Sequence, residues 1–213
     1  KLKFPEKIIE PIDEIEGKTL SIKLQYRGES TLHPQFNEFC DYVSKKDFIE
    51  RMVNTNGNYY GEKREGLYKL DKIIFSIDSL NKELFETQRK NLSYLRLMEN
   101  FWDAYEHYQR NGKPKLKINC TLTKQNFHEQ ERFKKFFPED VEIRFAPSFA
   151  RTEDSKNYIL DDLKITGRKN CRYPGQRLII TWQGKAVPCC AEWAVEKSDI
   201  IVGDVTKNSI HHI

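Results

Sequence analysis

The chain has 213 residues, of which 38% are hydrophobic and 32% charged, with a formal net charge of +4. That length holds one good-sized core or one domain with a small appendage, and the alternation of short apolar runs with amphipathic stretches excludes a disordered chain. Basic residues are spread along the sequence, so a nucleic-acid partner is not implied. No apolar stretch reaches the roughly 18 residues needed to cross a membrane, and the first five residues, KLKFP, lack a signal-peptide core, so a cytoplasmic protein with no membrane partner is expected.

In chain order, Pro5 to Ile15 places Ile8, Ile9, Ile12 and Ile15 at helical spacing ahead of a first strand, Leu20 to Tyr26. The strand that should precede this helix is not in the sequence, so the chain reads as starting inside a βα unit. Strand-like runs then alternate with helical ones: helix Pro34 to Lys46, strand Phe48 to Val53, helix Gly61 to Leu70 and strand Lys72 to Ile77. One long charged helical stretch from Asn81 to about Arg110 follows, then strand Leu116 to Leu122, a helix from about Phe127 to Phe137, and strand Val141 to Phe145. Strands joined by helices predict a parallel α/β sheet, and right-handed crossovers make a partial (β/α) barrel the simplest architecture.

After Pro147 the sequence turns polar and loop-like as far as Asn170. Two β runs, Arg177 to Trp182 and Lys185 to Pro188, then flank a Gln183-Gly184 turn and predict a hairpin. Five cysteines occur, three of them crowded into the last fifth of the chain as Cys171, Cys189 and Cys190, a clustering that points to metal sooner than to disulfides in a reducing compartment. A structural zinc site or buried thiols are the simpler alternatives. Cys40, on an amphipathic helix, and Cys120, inside a strand, read as core residues.

Ligands of α/β sheets sit at the carboxyl ends of the strands. There the sequence carries Arg27-Gly28-Glu29-Ser30-Thr31, Asn54-Thr55-Asn56-Gly57, Ser76-Ile77-Asp78-Ser79, and Asn119 with Thr121. Gly28 would admit close backbone approach to a ligand, Glu29 could hold a cationic amine, and Ser76, Asp78 and Asn119 suit hydroxyl groups such as a ribose's. Each also has a structural reading: Gly57 ending a strand, Ser30 or Thr31 capping the helix that Pro34 helps begin, and Asp78 or Ser79 capping the next.

The order of these segments resembles the radical S-adenosylmethionine (SAM) enzymes. Gly28-Glu29-Ser30-Thr31-Leu32-His33-Pro34 is similar to that family's Gly-Gly-Glu-Pro followed by Leu-His-Pro, Thr55-Asn56-Gly57 to its Thr-Asn-Gly, and Ser76-Ile77-Asp78-Ser79 to its Ser-Ile-Asp-Gly. Arg27 replaces the first glycine and Ser30 the proline. The spacing of twelve residues from Cys171 to Gly184 and four more to Cys189 resembles the opening of the family's SPASM or twitch extensions, which ligate auxiliary iron–sulfur clusters.

The resemblance implies a partial (β/α)6 TIM-like barrel over residues 1–147 and a small hairpin-bearing, cysteine-bearing extension over 148–213. It implies that Gly28 and Glu29 lie at the SAM amino group, that Ser76, Asp78 and Asn119 lie near its ribose and carboxylate, and that Arg89 pairs with the carboxylate. Ser30 and Asn56, inside the matching motifs, complete the implied cofactor-binding set, and Cys171, Cys189 and Cys190 would be the metal ligands.

The family's Cys-x3-Cys-x2-Cys, which holds the catalytic [4Fe–4S] cluster, occurs nowhere in the sequence and is expected ahead of Lys1; loss of the motif is the alternative. The implied activity is formation of a 5′-deoxyadenosyl radical that abstracts hydrogen from a peptide or protein side chain, with a reductant such as flavodoxin or ferredoxin as partner. A small metabolite, a nucleoside or RNA is the alternative substrate, and a non-catalytic metal-binding barrel the alternative of another class. No catalytic side chain is assigned.

Overall fold

A computed structural model describes residues 6–15, 21–148, 176–188 and 200–213. Helix α1 (Glu6–Ile15) precedes strand β1 (Ser21–Lys23). Then follow α2 (Phe36–Ser44), β2 (Glu50–Thr55), the single-turn α3 (Arg64–Leu67) and β3 (Lys72–Ser76). Helices α4 (Lys82–Gln88) and α5 (Tyr94–Asn111) lead to β4 (Lys115–Leu122), and α6 (Gln130–Phe136) leads to β5 (Glu142–Pro147). The five strands form one parallel sheet in sequence order, which is the expected barrel arc of consecutive βα units.

Side chains alternate strictly across this sheet. One face carries Val53, Ile73, Phe75, Ile118 and Cys120, all at most 2% exposed, and packs on Val43, Leu67, Leu97, Phe101 and Phe133 of the helices. Aromatic edges close that layer, with Phe75 and Phe101 T-shaped at 5.3 Å and Phe101 and Phe137 at 4.9 Å. The other face carries the polar set, including Asn54, Ser76, Lys117, Asn119 and Arg144. Cys40 and Cys120 are buried free thiols, as expected of core residues.

Two expectations need correction. The long helical stretch from Asn81 is broken: Asn91 takes a left-handed conformation (φ 67°), and Ser93 starts a second helix by accepting from the Arg96 N–H at 3.3 Å. The predicted hairpin is the core of a three-stranded antiparallel sheet, β6 (Ile179–Ile180), β7 (Lys185–Val187) and β8 (Gly203–Asp204). Lys185 and Asp204 form an ion pair at 2.7 Å across β7 and β8.

Candidate functional site

The carboxyl edge of the sheet is assembled by two brackets. The first is built on Glu29, which caps a 3₁₀ turn at Ser30–Leu32. Its Oε1 accepts from the Thr31 N–H (3.2 Å), the Thr31 hydroxyl (2.8 Å) and the Thr55 hydroxyl (3.0 Å), and its Oε2 from the Asn56 N–H (2.6 Å). One carboxylate therefore ties the loop after β1 to the end of β2, an arrangement of the strong charge-assisted kind. Ser30 donates to the Leu24 carbonyl at 2.7 Å, so its hydroxyl closes the same loop.

Gly28 sits at the tip of that loop with φ 77°, and the space where a side chain would stand holds no atom within 4 Å. Behind it, Gly57 also has positive φ, and a β-carbon there would meet Leu97 Cδ1 at 2.2 Å, so only glycine lets α5 approach the loop. The buried Asn100 of α5 donates to the carbonyls of Gly57 (2.8 Å) and Tyr59 (2.9 Å). Asn58 pairs reciprocally with the backbone of Ser93, accepting its N–H at 2.6 Å and donating to its carbonyl at 3.1 Å.

The second bracket holds Asp78. Its Oδ2 accepts two nitrogens of Arg89 at 2.7 Å, and its Oδ1 accepts the Thr121 N–H at 2.8 Å. Asn126, 1% exposed, donates to the Asp78 carbonyl (2.6 Å) and the Thr121 carbonyl (2.8 Å). Glu129, 4% exposed, accepts the Ser79 hydroxyl and the Leu80 N–H, both at 2.7 Å.

Asp78 and Arg89, read from the sequence as separate ligand contacts, are thus bonded to each other, and Glu29, Ser30 and Asn56 are joined in the first bracket. Ser76 and Asn119 are paired in register on neighbouring strands. Asn119 Oδ1 and Asn54 Oδ1 are buried and accept no hydrogen bond, so two acceptors on this face await a donor. Cys171, Cys189 and Cys190 lie outside the described residues, and among the described residues no three His, Cys, Asp or Glu side chains converge to hold a metal. Asn58, Asn100, Asn126 and Glu129 are not singled out by the sequence. The one local contact belongs to Asn126, whose Oδ1 accepts the N–H (2.7 Å) and the hydroxyl (3.2 Å) of Thr123 three residues back.

Neighbouring titrations are set by burial. Burial, then the Lys63 charge, lowers the pKa of His33, whose Nδ1 accepts the Gln35 N–H. The thiols of Cys40 and Cys120 are pushed up to about 12 by burial, which leaves them protonated and poor ligands.

Residues 171–213 match the family model of SPASM, an iron–sulfur cluster-binding domain. Of solved structures, Streptococcus suis SuiB bound to S-adenosylmethionine superposes with a TM-score of 0.67 at 15% identity, over 98% of this chain and 57% of SuiB. The chain has the radical SAM barrel fold. Hexahistidine-tagged anSMEcpe with bound AdoMet gives a TM-score of 0.66 at 14% identity (98% of this chain, 68% of the other), and native anSMEcpe with AdoMet and the Cp18Cys peptide gives 0.64 at 13% (98% and 72%). The chain therefore spans little more than half the length of SuiB. No curated protein matches it by sequence. Within the radical SAM fold, both brackets lie at the carboxyl ends of the barrel strands, and the SPASM match begins at residue 171, downstream of β5. No described helix is long and apolar enough to cross a membrane.

Proposed function

We propose that this chain is the barrel and the SPASM segment of a radical SAM enzyme acting on a peptide or protein side chain. The observation that carries it is the open cradle at Gly28, set in the same sheet edge as Ser76 and the unpartnered Asn119 Oδ1, upstream of a SPASM match. These residues fit SAM: Gly28 presents backbone without steric hindrance, and Ser76 and Asn119 offer hydrogen-bonding groups to hydroxyls or a carboxylate. Bound together, SAM and a reduced [4Fe–4S] cluster supply a radical that abstracts a substrate hydrogen atom.

The chain's own work is to bind and orient. Glu29 keeps Gly28 and the Asn56 backbone at fixed separation, so the edge is shaped before any ligand arrives. Arg89 neutralises Asp78 and holds it against the Thr121 backbone, with Asn126 and Glu129 locking the loop behind it. Cys171, Cys189 and Cys190 are the residues proposed for an auxiliary cluster, and a flavodoxin- or ferredoxin-like protein is the proposed reductant. The peptide substrate is supported by the Cp18Cys peptide in the anSMEcpe complex.

The test is anaerobic incubation of SAM and dithionite with the complete, cluster-reconstituted protein that carries this chain, followed by mass spectrometry for 5′-deoxyadenosine. Product above a no-protein control is expected. Its absence from protein with bound cluster replaces this function with a non-catalytic metal-binding barrel.

A further inference from the structure

The sheet face opposite the helices carries clustered positive charge. Lys23, Met52, Lys72 and Lys115 share one row across β1 to β4. Two residues further along, Asn54, Ile74, Lys117 and Glu142 form the next row, and two beyond that come Ser76, Asn119 and Arg144. With Glu50, this face holds five cations and two carboxylates among the described residues.

Glu50 pairs with Lys72 and Glu142 with Lys117. Both lysines are largely buried, at 24% and 17% side-chain exposure. Lys115 and Arg144 are exposed, and neither has an ion-pair partner among the described residues. Lys72 and Lys115 stand side by side in one row, and their repulsion favours an anion at this face. Arg144 stands beside Asn119 in the row that ends at the proposed cofactor edge.

Cations alone suit a phosphate as well as a carboxylate. The same face also holds Asn54 Oδ1, a buried acceptor with no donor. It lies three strand spacings across and two residues along from Arg144, about 16 Å over the sheet, which is the reach of about five extended residues. An acceptor for a backbone N–H at one side and a guanidinium for a carboxylate at the other match an extended acidic peptide.

We propose that this face receives an acidic segment of the peptide substrate, with a side-chain carboxylate on Arg144, the unneutralised charge of Lys115 drawing it in, and a backbone N–H on Asn54. This rests on the peptide substrate proposed above and narrows it to a sequence rich in Asp and Glu.

The test is fluorescence anisotropy on the complete protein, without SAM turnover, using labelled peptides of alternating Glu and Ala, the same peptides with Gln for Glu, and an oligouridylate competitor. The Glu peptide is expected to bind about tenfold or more tighter than the Gln peptide, a gap that shrinks as salt is raised. Arg144→Gln, at an exposed position, should erase most of that gap and Arg144→Lys should retain much of it. Arg110→Gln, on the outer surface of α5, should leave it in place.

Equal binding of Glu and Gln peptides overturns the proposal, as does an unchanged gap in Arg144→Gln or preferential displacement by oligouridylate. The 5′-deoxyadenosine assay separates the two levels. Product formation without acidic preference removes this inference alone, and acidic preference without product removes the enzymatic function alone.

Discussion

Glu29 accepts four hydrogen bonds from three residues of its own chain, and through them the loop after β1 is held to the end of β2. Glu29→Gln keeps the shape but turns an acceptor-only group into one with an amide that must face donors. Chemical denaturation should show a loss of about 1–3 kcal/mol, and SAM affinity should fall with it. Unchanged stability with lost affinity would instead make Glu29 a direct ligand. At the buried thiols, with pKa values pushed up to about 12, native protein at about pH 8 should leave Cys40 and Cys120 unalkylated by iodoacetamide, and urea should expose both; labelling in the native state would remove them from the core. The sequence singles out Gly28, Glu29 and Asn56 because their motifs are contiguous, and the structure joins Glu29 to Asn56, while their cofactor role stays a proposal. Asn126 and Glu129 are not singled out, because an Asn or Glu beside a surface-type helix looks solvated until the Asp78 loop is folded onto it.

The elements were legible wherever period alone decides them. The five parallel strands fall where alternating and β-branched runs place them, within a few residues at each end. The periodicity passes over the break between α4 and α5 because Arg89 to Ser93 contains no Gly or Pro, although Asn91 and Ser93 are residue types that end and cap helices, and partners distant in sequence then fix it. Arg89 is drawn to Asp78, Asn58 takes the Ser93 backbone, and Ser93 caps α5. Ser93→Ala removes that cap and should lower stability by about 1 kcal/mol, read as a shifted denaturation midpoint. A larger shift would mean that the Asn58 contact was lost as well. The short strand β8 escaped notice because two residues carry no period, and only pairing with β7 defines it.

Across the whole molecule, the first helix and the last turn are fastened together. Glu14 of α1 accepts the Ser209 hydroxyl and, at 2.9 Å, the Ile210 N–H. The Ser209 bond, opposed in part by desolvation, holds the Glu14 carboxyl below its ordinary 4.5. A carboxyl depressed in the folded state stabilises fully above its unfolded pKa and loses that contribution as pH falls through the folded one. Hydrogen exchange at the Ile210 amide, corrected for intrinsic rate, should therefore accelerate below about pH 4.5, and Glu14→Gln should abolish that pH dependence.

The strict alternation of β2 to β5 also governs how such a chain can change over evolutionary time. Replacing one residue on either face alters one contact. Inserting one residue in β4 just ahead of Lys117, by contrast, would send Lys117, Asn119 and Thr121 into the helix layer and Ile118 and Cys120 into the polar one. Length variation among descendants should therefore collect in the connections at the amino ends of the strands, such as residues 112–114, while the strands themselves drift only by substitution.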